Sequence, residues 1–215
     1  MFNILFLFLA YLLGSIPFSY LFGELFKHQD LRKFGSGNLG ATNAFRVFGK
    51  AVGSLVMVFD VVKSGLLVFL MIHYSETFSF ITIDPLYFGL ASVIGHVYPV
   101  WFKFKGGKGV ATSFGLLLAF DWKIALIMAL IFFAIQIATR YVSVSSVLSA
   151  VAVFFLNVYL YFFSGNPMYH TIHLLIVTFV AVMIIVFKHS SNYERLKKGT
   201  ENKVKWLDFL DKKKS

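Results

Sequence analysis

FNILFLFLAYLLGSIPFSYLFGELF, residues 2–26, decides the fold. It contains one charged side chain, Glu24, and as a helix it is long enough to cross a hydrocarbon core of ~30 Å. It lacks the basic leader of a cleavable signal peptide, its apolar run is long, and Gly14-Ser15-Ile16-Pro17 lies inside it. It reads as a first transmembrane helix kinked at Pro17. The rest of the chain repeats the theme, with apolar runs at about 51–72, 86–102, 124–139, 142–163 and 171–187. A shorter run at 110–120 is set off by Asp121-Trp122-Lys123.

Composition agrees. Hydrophobic residues make up 58% of the chain and charged residues 14%, with a mean hydropathy of +0.77. A soluble domain needs about a quarter of its residues charged to cover its surface. There is no cysteine, so neither a disulfide framework nor a thiolate zinc site is available. The net charge of +10 sits in loops between apolar runs, which favours anionic headgroups or phosphorylated substrates over nucleic acid.

The basic residues set the expected topology. Lys27, Arg32, Lys33, Arg46 and Lys50 follow the first run, and Lys103, Lys105 and Lys108 the third. Arg140 separates two later runs, and nine Lys/Arg from Lys188 to Lys214 close the chain. The intervening loops, 73–85, 121–123 and 164–170, hold only Lys123 with the acids Glu76, Asp84 and Asp121. The positive-inside rule then puts the N-terminus outside and every basic loop in the cytoplasm. For the signs to agree, residues 110–139 must cross twice, giving about seven transmembrane helices, or form a re-entrant hairpin. The expectation is an all-α, polytopic membrane protein with one integral membrane domain (1–201). A basic cytoplasmic tail (202–215) follows, in which Trp206, Leu207, Phe209 and Leu210 accompany the lysines.

Three polar, glycine-containing loops then fall on one side of the membrane. The first, GSGNLGATNAFR (residues 35–46), matches G-x-G-x-x-G literally, but it follows a membrane helix and not a strand, so it is no dinucleotide fingerprint. Gly37 permits close backbone approach to an anion; Ser36, Asn38, Thr42 and Asn43 supply polar groups, and Arg46 a phosphate-gripping guanidinium. The second, GHVYPVWFKFKGGKGVAT (residues 95–112), places Lys105-Gly106-Gly107-Lys108-Gly109 before a helix start at about Val110. That is a phosphate nest in outline, although not a Walker A motif. The third, KHSSNYERLKKGTE (residues 188–201), would place His189, Asn192 and Leu196 on one face if the last helix continued, with Arg195 beside them. His189 is a candidate proton acceptor or phosphate ligand. His96 reads as a hydrogen-bonded structural residue. Asp60 and Lys63, one turn apart in an apolar span, read as a pair facing the protein interior. Arg140 is an interfacial residue, and no metal site is expected.

Together the three segments resemble the bacterial membrane-embedded acyl-phosphate:glycerol-3-phosphate acyltransferases, the PlsY type, over nearly the whole chain. The resemblance implies acyl transfer from acyl phosphate to the 1-hydroxyl of glycerol 3-phosphate in phospholipid synthesis, giving lysophosphatidic acid and orthophosphate. It implies no cofactor, a site facing the cytoplasm, and a place in the bacterial cytoplasmic membrane among lipid. Ser36, Arg46, His189 and Asn192 match active residues of the family. The glycines around Lys105 and Lys108 match its acyl-phosphate loop, and Glu201 matches a residue that supports structure. The proton acceptor is left open between His189 and a substrate phosphate oxygen. An organic-phosphate transporter is the rival from another class. Its binding groups would lie near the midplane, in paired repeats, whereas here the polar density sits in loops and no repeat is visible. A noncatalytic assembly factor would leave the three loops without a reason.

Overall fold

The computed structural model describes residues 2–204, in which helices joined by loops are the regular structure, with no strand among them. The tail side chains Trp206, Leu207, Phe209 and Leu210 lie outside the described residues. The helices are α1 (Phe2–Gly14), α2 (Phe18–Lys27), α3 (Ala41–His73), α4 (Leu86–Val97) and α5 (Val110–Phe120). They are followed by α6 (Trp122–Thr139), α7 (Val142–Phe163), α8 (Ile172–Lys188) and α9 (Ser190–Lys197).

Among the described residues, four stretches are long and apolar enough to cross a membrane: α1 with α2, α3, α6 and α7. A fifth is α8 with α9, bent by 46° at their junction. The segment Leu86–Phe102 and α5 are apolar but shorter. Large apolar side chains face outward, among them Phe155 at 63% and Phe162 at 66% exposure. In water that would be untenable; against lipid tails it is expected.

Two compact units divide the chain, residues 1–125 and 126–215, with α6 beginning in the first. In the first unit α3 packs on α5 and α1 on α4. With lipid for solvent, apolar area alone does not hold helices together, so small residues that let backbones meet do much of it. Gly115 is such a position: a methyl group there would overlap the Val61 carbonyl of α3. In the second unit α7 packs on α8. Its buried face includes Ser143, Ser146, Ser149, Val153 and Asn157, and the Ser146 hydroxyl donates to the Val142 carbonyl one turn back.

Three details depart from the sequence reading. The first run is two helices and not one kinked helix: residues 15–17 separate α1 from α2, because Pro17 has no N–H to continue the ladder. The third run stops as a helix at Val97 and turns through a short 3-10 segment, Val100–Phe102. The last span does not continue straight past Lys188. α3 also starts ten residues before its apolar run, at Ala41, and is interrupted at Gly49, whose φ of 83° is non-helical. Arg46 therefore lies on a short helical segment ahead of the span.

Candidate functional site

The first loop is shaped by one buried side chain. Asn43, 2% exposed, accepts the Ser36 N–H at Oδ1 (3.0 Å) and donates from Nδ2 to the Phe34 and Asn38 carbonyls (both 3.1 Å). Both amide protons and the oxygen are thus bonded to the loop itself. The Ser19 hydroxyl adds a buried bond to the Leu39 carbonyl (2.8 Å). The result lifts Ser36 and Gly37 into the open, with Thr42 and Arg46 exposed one turn apart on the start of α3. Beside them Arg32 grips Asp30 with two nitrogens (2.6 to 3.0 Å) and lies 4.5 Å over the Phe102 ring. This lays the first loop against the turn that opens the second.

The second loop leaves α4 and folds back on its end. Gly106 N–H donates to the Val97 carbonyl (3.1 Å) and Gly107 N–H to the His96 carbonyl (3.0 Å). These two amides, expected from sequence to help cradle a phosphate, are already engaged within the chain; the two glycines shape the turn. Gly107 can have no side chain, because a methyl group would overlap the His96 ring. Lys105 is exposed, and Lys108 and Gly109 lead directly into α5. The N–H groups of the first turn of α5 have no helical acceptor ahead of them. The loops are stitched together by Asn38 Nδ2 donating to the Gly106 carbonyl (3.4 Å), so Ser36, Gly37, Asn38, Thr42, Arg46, Lys105, Lys108 and Gly109 belong to one assembly within the first unit.

Beneath it lies the intramembrane pair. Lys63 Nζ is 2.7 Å from Asp60 Oδ1, 3.0 Å from His96 Nδ1 and 3.0 Å from the Ile16 carbonyl, which lies at the break between α1 and α2. Asp60, Lys63 and His96 are all buried. The pairing of Asp60 with Lys63 is as the sequence suggested; the inclusion of His96, from another helix, was not legible.

In the second unit the junction of α8 and α9 presents His189 and Asn192, both buried. His189 Nδ1 lies 2.7 Å from the Ile185 carbonyl. A carbonyl only accepts, so Nδ1 carries the proton and the lone pair of the neutral ring is at Nε2. Glu201 ties the segment down, accepting from Asn192 Nδ2 (2.7 Å), Arg195 Nε (2.7 Å) and Ser143 Oγ (2.8 Å). Burial pushes the Glu201 carboxyl up, but these bonds and the Arg195 charge outweigh it and hold the group below the ordinary glutamate range. Ser143 carried no signal in sequence, because nothing local links it to a residue fifty-eight positions away. The Val204 N–H completes the clasp on the Arg140 carbonyl (3.0 Å).

Fold and loops define a helical integral membrane protein with cationic, glycine-shaped loops suited to phosphorylated ligands. The glycerol-3-phosphate acyltransferase family model matches residues 4–199. A glycerol-3-phosphate acyltransferase of Macrococcus caseolyticus is 44% identical over 94% of this chain and 97% of that one. Another, from Staphylococcus aureus (strain Newman), is 39% identical over 95% and 98%. Among solved structures, the crystal structure of PlsY (YgiH), an integral membrane glycerol 3-phosphate acyltransferase, aligns in its glycerol 3-phosphate form. The TM-score is 0.84 at 36% identity, covering 98% of this chain and 99% of that one. Its lysophosphatidic acid form aligns with a TM-score of 0.82 at 34% identity and the same coverage. The chain belongs to the glycerol-3-phosphate acyltransferase family and is an integral membrane acyltransferase of the PlsY type.

Proposed function

We propose that this protein transfers an acyl group from acyl phosphate to the 1-hydroxyl of sn-glycerol 3-phosphate, releasing lysophosphatidic acid and orthophosphate. The observation that carries this is the pairing, in one unit, of an exposed Ser36–Arg46 loop with the Lys105–Gly109 loop through Asn38 and Gly106. Both substrates bear phosphate, and the assembly offers three cationic side chains, Arg46, Lys105 and Lys108, and the starts of two helices, α3 and α5. The solved relatives in glycerol 3-phosphate and lysophosphatidic acid forms support the acceptor and the product.

In the first unit, Ser36 and Arg46 contact substrate, with Gly37, Asn38 and Thr42 beside them. Asn43 acts by shaping their loop. Lys105 stabilises developing negative charge, Lys108 and Gly109 bind phosphate, and Gly106 and Gly107 supply the turn. In the second unit, His189 and Asn192 contact substrate with Arg195 nearby, and Glu201 is their support. Asp60, Lys63 and His96 support the second loop. The hydroxyl oxygen attacks the acyl carbonyl, the new ester C–O bond forms as the carbonyl–phosphate C–O bond breaks, and orthophosphate leaves. The hydroxyl proton goes to His189 Nε2, whose lone pair is oriented by the Ile185 bond, or to a phosphate oxygen. Acyl phosphate is already activated, so positioning supplies much of the rate.

The reading places the protein in the bacterial cytoplasmic membrane with about seven spans, N-terminus outside and basic loops in the cytoplasm; the charge asymmetry of the loops supports it. The deciding experiment measures phosphate release by detergent-purified protein given palmitoyl phosphate, with and without glycerol 3-phosphate. Release that requires glycerol 3-phosphate, yields lysophosphatidic acid and vanishes in Ser36→Ala and Arg46→Ala is expected. Folded protein that makes no product across several chain lengths would exclude the reaction. His189→Gln separates the two proton routes: loss of kcat with an altered pH profile assigns the proton to His189, and an unchanged profile assigns it to phosphate.

A further inference from the structure

The residues under the second loop make a more specific arrangement than a buried ion pair. A lysine ammonium has three protons, and Lys63 has three neighbours within hydrogen-bond range: Asp60 Oδ1 at 2.7 Å, the Ile16 carbonyl at 3.0 Å and His96 Nδ1 at 3.0 Å. The first two only accept. If His96 carried a proton on Nδ1, two donors would face each other at 3.0 Å. The alternative partner for such a proton, Asp60 Oδ1, is 3.4 Å away, long for a charge-assisted bond. The third ammonium proton therefore goes to the Nδ1 lone pair, and the ring proton sits on Nε2. That edge of the ring lies against Gly107, where a methyl group would overlap Nε2. The His96 carbonyl meanwhile holds the Gly107 N–H at 3.0 Å.

We propose that His96 is the positioning residue of the second loop, locked by Lys63 as the neutral Nε2–H tautomer. Its ring and carbonyl together template the Gly106–Gly107 turn, and so aim Lys108 and the first turn of α5 at phosphate. Lys63 acts through His96, and Asp60 balances the Lys63 charge. A small cavity lined by Ile16, Leu39, Lys63, His96, Pro99 and Gly106 adjoins the cluster. The inference takes from the proposed function only that this loop binds the phosphorylated donor.

The first test needs no variant. Histidine-selective 15N NMR of the whole protein in detergent, with the His96 signals assigned by difference from His96→Gln, should show Nε2 protonated and Nδ1 bare. A proton on Nδ1 would overturn the proposal. The second test uses kinetics. Lys63→Met alone leaves Asp60 buried and uncompensated and is expected to fold poorly. The Asp60→Asn/Lys63→Met double variant removes both charges. In it the KM for palmitoyl phosphate should rise about tenfold, with a smaller change in kcat, because the turn is misaimed and the chemistry is not. Folded double variant with an unchanged KM would overturn the proposal. A cycle of Gly107→Ala with His96→Ala completes the test. Gly107→Ala should cost at least tenfold in kcat/KM with the ring present and little once it is removed; equal costs in both backgrounds would show that the ring does not template the turn. If the wild-type protein transfers nothing from acyl phosphate, the proposed function fails, while the NMR result still decides the tautomer.

Discussion

Asn43→Ala should cripple this protein without unfolding it. The side chain holds three hydrogen bonds to residues 34–38 of the first loop, at 3.0 to 3.1 Å. Each such bond has a net worth of ~0.5–1.5 kcal/mol, and partial replacement by water on the exposed loop brings the loss to about 2 kcal/mol. The helix behind it is untouched, so the loss is one of loop order. If that order has to be restored when substrate binds, kcat/KM falls about thirtyfold. Asn43→Asp sharpens the test: nearly the same shape, it keeps the acceptor for Ser36 N–H but turns a carboxylate toward the Phe34 and Asn38 carbonyls, and it should lose at least as much. Steady-state phosphate release gives kcat/KM, and hydrogen exchange of residues 34–38 gives the order of the loop. Wild-type kcat/KM with wild-type protection in Asn43→Ala would refute the role assigned to this residue.

Glu201 yields a prediction with a definite sign. Its carboxyl is held below the ordinary glutamate range when folded, so its stabilisation is fully present above the unfolded pKa of about 4.3 and is lost as pH falls through the folded value. Glu201→Gln should therefore melt lower than wild type at pH 7, with the gap closing below about pH 4 in detergent melts; a gap independent of pH would contradict the assignment. Gly115→Ala forces a methyl group onto the Val61 carbonyl and should cost about 1–3 kcal/mol by overpacking, seen as a Tm several degrees lower with KM preserved. Arg32→Ala, by contrast, removes an ion pair whose guanidinium side is 46% exposed and should change Tm little. Its effect should appear in KM, because the Phe102 contact joins the two loops.

The chain declared its solvent plainly. Long apolar runs with basic loops are one-dimensional signals, and the helices observed fall on them. Ser36 and Arg46, singled out because a dense polar loop between two spans has few structural excuses, stand exposed on the first loop and the start of α3. What stayed hidden depends on distance along the chain. Asn43 looked like a ligand donor, because its partners are backbone groups of the loop and sequence carries no sign of which backbone groups need partners. Gly106 and Gly107 looked like an amide nest, whereas their amides close a turn on Val97 and His96. His96 joins Lys63 across thirty-three residues, a link that no local pattern encodes. The interruption of α3 at Gly49 was lost because the apolar run begins only after it.

The buried charges of α3 carry a consequence for biogenesis. A lone Asp or Lys at the centre of a helix entering the bilayer costs ~2.5–3.5 kcal/mol on insertion scales. Asp60 and Lys63 stand one turn apart on the same helix, so α3 can leave the insertion machinery with the pair already closed. The Ile16 carbonyl, earlier in the chain, is waiting when it arrives, and the imidazole of α4 comes last. The histidine therefore meets an ammonium whose other two protons already have acceptors, and α4 docks onto a charge pair that is closed before it arrives.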